Sequence, residues 1–178
     1  MDTVKERIPD YARDLRLNIS SVLTPQGAPG LSESQLWMVA FASAIASRNA
    51  ELARAIEAEA TARLAPAEIE AARSAAAIMG MNNVYYRFLH LVEDEEYAKL
   101  PARLRMNVIG SPGIPKSDFE LVSLAVSAVN GCGKCVTAHE RVLRQHEVSR
   151  EAVQSAVRIA AVIHAVAGVL AYEATRAA

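Results

Sequence analysis

From Val153 to Tyr172 the chain is almost wholly apolar, and wound as a helix it offers hydrophobic side chains on most of its circumference. A helix of that kind has two homes, a membrane or the middle of a helical protein. Its uninterrupted part, Ile159 to Tyr172, is about 14 residues and contains His164, too short to cross a bilayer. The chain must therefore wrap other helices around it. Hydrophobic residues make up 52% of the sequence but aromatics only 5%, with alanine dominating. That balance favours closely packed helices over a sheet built from Val, Ile, Tyr and Phe. At 178 residues the expectation is one all-α domain with a core that needs no staples.

Read in order, Pro9 predicts a first helix to about Val22, with Tyr11, Leu15, Ile19 and Leu23 along one stripe. Thr24 to Leu31, with two prolines and two glycines, is a loop. Ser32-Glu33-Ser34-Gln35 has the capping-box pattern and opens a helix carrying Leu36, Val39, Ala40 and Ser43. Asn49 caps the next, through Leu52 and Ile56 to Leu64, and Pro66 starts another that Gly80 interrupts before a further segment from Asn82 to Val92. The acidic run Glu93 to Glu96 reads as a solvated helix end. Five prolines and glycines between Leu100 and Lys116 mark the longest irregular connection. Ser117-Asp118-Phe119-Glu120 again fits a capping box, opening a helix that ends at Asn130-Gly131, and Ser149 caps the last helix.

The chemistry gathers between the last two of these helices. Cys132-Gly133-Lys134-Cys135 holds both cysteines, and His139 follows one turn later, so all three side chains share a stripe. Sulfurs at a helix N-terminus face unpaired N–H groups and the positive end of the dipole, which favours thiolate. Lys134 adds a positive charge between them, or is simply a solvated lysine. A redox dithiol is the leading reading. A structural disulfide closing so short a loop would contribute only about 2 kcal/mol, and a zinc site would need His146 or a carboxylate as a forced fourth ligand. His146 otherwise reads as a helix-end residue, and His90 and His164 as ordinary.

Glu120 has two readings. It is the capping partner of Ser117, or, if the chain folds back about Gly131, it meets His139 at a similar height, eleven residues before the turn against eight after it. A buried carboxylate there would orient the imidazole and raise its basicity. A weak internal echo also appears: a shift of 84 positions lays Ser43-Ala44-Ile45 on Ser127-Ala128-Val129 and the Pro66 helix on the Ser149 helix, with the cysteine positions falling on Arg48 and Glu51. Degenerate repeat halves at about 31–92 and 115–176 would produce it.

With these residues assembled the chain resembles the alkyl hydroperoxidase D family, within the carboxymuconolactone-decarboxylase-like superfamily. The resemblance spans nearly the whole length, through Gln35-Leu36-Trp37, Ala76 to Val84, Leu104-Arg105-Met106-Asn107 and Gly113-Ile114-Pro115-Lys116, and its specific part is Glu120, Cys132-x-x-Cys135 and His139. It implies an all-helical homotrimer that reduces alkyl hydroperoxides, with Cys135 as the attacking thiol, Cys132 as its resolving partner, and Glu120 and His139 as a proton relay. It further implies no bound cofactor or metal, re-reduction by a dihydrolipoyl-bearing protein, and electron transfer to a two-cysteine peroxiredoxin. Some relatives carry histidine where Lys134 stands. Two other classes stay open, a dithiol carrier with little peroxidase activity of its own and a decarboxylase, the latter having no need of a thiol pair. A net charge of -1 predicts no attraction to nucleic acid or membrane. With no apolar leader at its start, the expected compartment is the reducing cytoplasm.

Overall fold

A computed structural model describes residues 1–176. Among them there are helices and no strands, in the order α1 (Asp2–Glu6), a 3₁₀ turn (Asp10–Ala12), α2 (Arg13–Val22), α3 (Glu33–Ala46), α4 (Ala50–Thr61), α5 (Pro66–Leu91), α6 (Glu95–Lys99), α7 (Asn107–Gly110), α8 (Lys116–Val129), α9 (Gly133–Gln145) and α10 (Arg150–Arg176). The all-α expectation holds.

Four predicted starts are as read, that of α5 at Pro66 among them, because each is decided by a few neighbouring residues. Ser32 and Gln35 exchange hydrogen bonds in a complete capping box, Asn49 Oδ1 accepts from Leu52 N at 2.9 Å, and Ser149 Oγ accepts from Ala152 N at 3.0 Å. α10 packs on α2, α3 and α8. One 18-residue window of it has a mean hydropathy of 1.7, so the 27-residue helix is long and apolar enough to cross a membrane by composition, longer than its 14-residue apolar run suggests. Instead it buries Ala156, Ile159, Ile163, Val166 and Leu170 in the core. α3 is enclosed from Leu36 to Ala44. Alanine and serine on these facing helices let the axes approach closely.

Three expectations are corrected. Pro9 is extended and caps only the 3₁₀ turn, α2 begins at Arg13, and a short helix precedes it at Asp2–Glu6. Ile8 and Ala12 take the core positions, and Tyr11 is 64% exposed with its hydroxyl on Glu173. Gly80 does not interrupt α5. A mid-helix glycine costs only about 1 kcal/mol against alanine, and buried residues pin the helix on both sides, Ala72 to Met79 before it and Asn82 and Asn83 after it. Lastly, Ser117 caps nothing: α8 starts at Lys116 behind Pro115, so the third helical position is Asp118, whose carboxylate accepts from Gln35 Nε2 at 2.7 Å. Glu120 lies beyond the reach of a capping box.

Candidate active site

α8 and α9 form an antiparallel hairpin whose turn is closed by backbone geometry. Gly131, at φ 68°, supplies the left-handed residue that ends many helices. Its N–H donates to Ala128 O and the next, Cys132 N–H, donates to Ser127 O, both at 3.1 Å. The turn is also tied to α5. Asn83 Nδ2 donates to Ser127 Oγ at 2.8 Å, Asn130 Nδ2 donates to Asn83 Oδ1 at 2.9 Å, and Arg87 donates to the Asn130 carbonyl at 2.6 Å. Two turns of one helix thus hold the loop that delivers the cysteines.

Cys132 is the N-cap of α9, and its Sγ accepts from Cys135 N at 3.3 Å. The two cysteines are joined as a disulfide with Cα atoms 5.3 Å apart. They differ in surroundings. Both are buried, but only Cys135 lines a cavity of about 220 Å3, shared with Lys134, Ala138 and His139 of α9, Met79, Asn82 and Tyr86 of α5, and Ile109 of α7.

His139 Nδ1 lies 2.6 Å from Glu120 Oε2, and both side chains are largely buried. Glu120 Oε1 also has a cation nearby, Lys116 Nζ, at 3.7 Å. A carboxylate on Nδ1 fixes the tautomer with hydrogen on that nitrogen and leaves the Nε2 lone pair free. Cys135, Glu120 and His139 are therefore brought together, as the hairpin reading requires. Lys134 is exposed at the cavity edge. His146 is the C-cap of α9, and His164 faces Ser47 at 3.4 Å, away from the cysteines.

Sequence reasoning did not single out Lys116, Asn83, Arg87 or the cavity wall of Met79, Tyr86 and Ile109. Lys116 had a signal, being four residues before Glu120 on one helix. Met79 and Asn83 lie in the segment Ala76 to Val84 that carries the resemblance, but with no role attached, and Tyr86, Arg87 and Ile109 had no signal because their partners lie across the fold.

Comparison with known proteins agrees with these features. The carboxymuconolactone decarboxylase family model matches residues 95–178, which include both cysteines, Glu120 and His139. A protein of Gluconacetobacter diazotrophicus named alkyl hydroperoxide reductase AhpD is 59% identical over 170 residues, 96% of this chain and 92% of that protein. One of the same name from Rhodospirillum centenum is 58% identical over 174 residues, 98% and 92% of the two chains. Another, from Streptomyces avermitilis, is 55% identical over 177 residues, 99% and 98%.

Proposed function

Because the chain belongs to the alkyl hydroperoxide reductase AhpD family, we propose that it reduces alkyl hydroperoxides by cycling Cys132 and Cys135 between dithiol and disulfide. The observation that carries this reading is the meeting of Cys135 with His139 at one cavity, the imidazole being held by buried Glu120.

The cycle begins with both thiols reduced. His139 takes the Cys135 proton through Nε2, and Glu120 stabilises the resulting imidazolium. The N-terminus of α9 and Lys134 favour the thiolate. The sulfur attacks the terminal oxygen of ROOH, the O–O bond breaks, and the alkoxide leaves with the imidazolium proton as ROH. Cys135 is now a sulfenic acid. Cys132 condenses with it, releasing water and forming the disulfide. An external dithiol then returns both cysteines to thiols by exchange, and a dihydrolipoyl-bearing protein is the proposed donor. A two-cysteine peroxiredoxin is the proposed further acceptor of electrons, and the reducing cytoplasm the proposed compartment. The mostly apolar cavity is smaller than the roughly 300–1,000 Å3 of sites for drug-sized ligands, which favours a small alkyl hydroperoxide. A decarboxylase would leave the thiol pair without a task.

The homotrimer is proposed on an exposed apolar stripe, Val84, Phe88 and Leu91 on α5, with Tyr97 packed edge-on against Phe88. Side chains of that size left in water mark an interface.

The decisive experiment is peptide mass spectrometry of protein reduced with dihydrolipoamide and then given a stoichiometric alkyl hydroperoxide. The expected outcome is an alkylation-resistant Cys132–Cys135 pair and one alcohol released per chain. Full alkylation of both cysteines after peroxide would refute the peroxidase. Disulfide formation too slow for turnover, rescued by adding a peroxiredoxin, would identify a carrier instead.

A further inference from the structure

Tyr86 and Asn82 are two polar side chains for which the proton relay has no use, the first donating its hydroxyl to Met106 Sδ at 4.0 Å and both lining the cavity beside Cys135. Asn82 of α5 lines it and is 5% exposed. Its Oδ1 is closed off from solvent and has no hydrogen-bond partner among the described residues. The residue beside it shows what an asparagine employed in the fold looks like. Asn83, equally buried, donates to Ser127 Oγ at 2.8 Å and accepts from Asn130 Nδ2 at 2.9 Å.

Folded chains pair nearly all of their buried polar groups. An unpaired amide in a low-dielectric interior weakens the fold, and an apolar residue of similar shape would not. Leucine would suit the side of the wall formed by Met79, Tyr86 and Ile109. A carboxamide kept there against that cost is one whose partner arrives with the ligand.

We propose that Asn82 is a substrate-binding residue whose carboxamide, turned about χ2 to bring Oδ1 to the cavity, hydrogen-bonds the hydroperoxide group and holds its terminal oxygen toward Cys135. The inference rests on the peroxidase reading above. A hydroperoxide carries one O–H donor and two acceptor oxygens, and a carboxamide both donates and accepts, so the two are complementary. The alkyl group packs against Met79, Tyr86 and Ile109. In the reaction the Cys135 sulfur bonds to the terminal oxygen, the O–O electron pair leaves on the alkoxide, and the alkoxide is protonated from His139. Asn82 exchanges no proton and no electron. Its contribution is orientation, so it acts on the peroxide and not on the thiol.

That separation supplies the test. Wild type and Asn82→Leu, both fully reduced, are mixed with tert-butyl hydroperoxide, and disulfide formation is followed by acid quench and mass spectrometry. The same preparations are titrated with iodoacetamide across pH. The peroxide rate constant is expected to fall about tenfold or more, the scale of one lost hydrogen bond to a reacting group. The alkylation rate and its pH midpoint should stay within about twofold, because the thiol and its base are untouched. An unchanged peroxide rate, or proportional losses of both reactions, overturns the role of Asn82. A wild-type protein that leaves the hydroperoxide intact overturns the peroxidase reading on which it rests. Should Asn82→Leu fail to fold by circular dichroism, Asn82→Ala, which removes the amide and enlarges the cavity, is put through the same pair of measurements with the same criteria.

Discussion

At His139 one ring nitrogen is committed to a carboxylate, and that commitment makes the relay testable. Replacing His139 with Ala or Glu120 with Gln should slow peroxide reduction by about 10² or more, the usual scale of acid–base help. The losses should be strongly non-additive, because both residues serve one proton path. Single-turnover rates of the two single variants and the double variant check this, and multiplicative effects would separate them. The cysteines should separate as well. Cys132→Ser should stop at a sulfenic acid trapped by dimedone, whereas Cys135→Ser should not react with peroxide at all. At Lys134 the expected effect of Lys134→Gln is an upward shift in the alkylation midpoint without loss of turnover, limited by solvent screening of an exposed charge. Superimposable curves would leave the helix terminus and His139 in sole control. Glu120 also shows where a sequence is ambiguous. Ser117-x-x-Glu120 fits a capping box as well as any segment in the chain, and only the start of α8 behind Pro115 frees its carboxylate for His139.

Elements were legible where a few adjacent residues decide them. Ser32 with Gln35, Asn49 and Ser149 each satisfy N–H groups three residues away, so the pattern and the structure are the same fact. α5 was misread at Gly80 because a weak local breaker lost to packing on both sides. The anchoring of the Gly131 turn was invisible, since Asn83 and Asn130 are 47 positions apart. Gly131 itself gives a prediction at this scale. An alanine there would be strained by its left-handed backbone rather than by crowding, since only Arg87 Nη1, at 3.9 Å, is near its Cβ. Gly131→Ala should therefore destabilise the protein by about 1–2 kcal/mol in urea unfolding. The three helices α3, α4 and α5, of 14, 12 and 26 residues, are followed by α8, α9 and α10, of 14, 13 and 27. A duplicated unit remains our proposal for that agreement, with Asn49 capping α4 as Cys132 caps α9.

Across the whole molecule the two halves share their interior, since α10 packs on α3 as well as α8, and α5 on both as well. One cooperative urea transition is expected, the same by fluorescence and circular dichroism; two separated transitions would show independent halves. The proposed homotrimer, with the exposed stripe on α5 as its interface, predicts a mass by light scattering of three chains. The double variant Phe88→Asp, Leu91→Asp should reduce it, because charge at an apolar interface is costly. The placement of the two sulfurs bears, finally, on how long each molecule survives its own chemistry. A sulfenic acid left exposed to a second peroxide becomes a sulfinic acid that thiols cannot reverse. Here the sulfur proposed as the rescuer, Cys132, is the N-cap of the same helix, buried at 1% exposure, and needs no unfolding or encounter to reach its partner. Irreversible loss per turnover should be small and should rise with peroxide concentration only when the oxidant outruns a step within a single helical turn. On the proposed cycle, the wear of the protein is therefore set by a race between this local condensation and the arrival of a second peroxide.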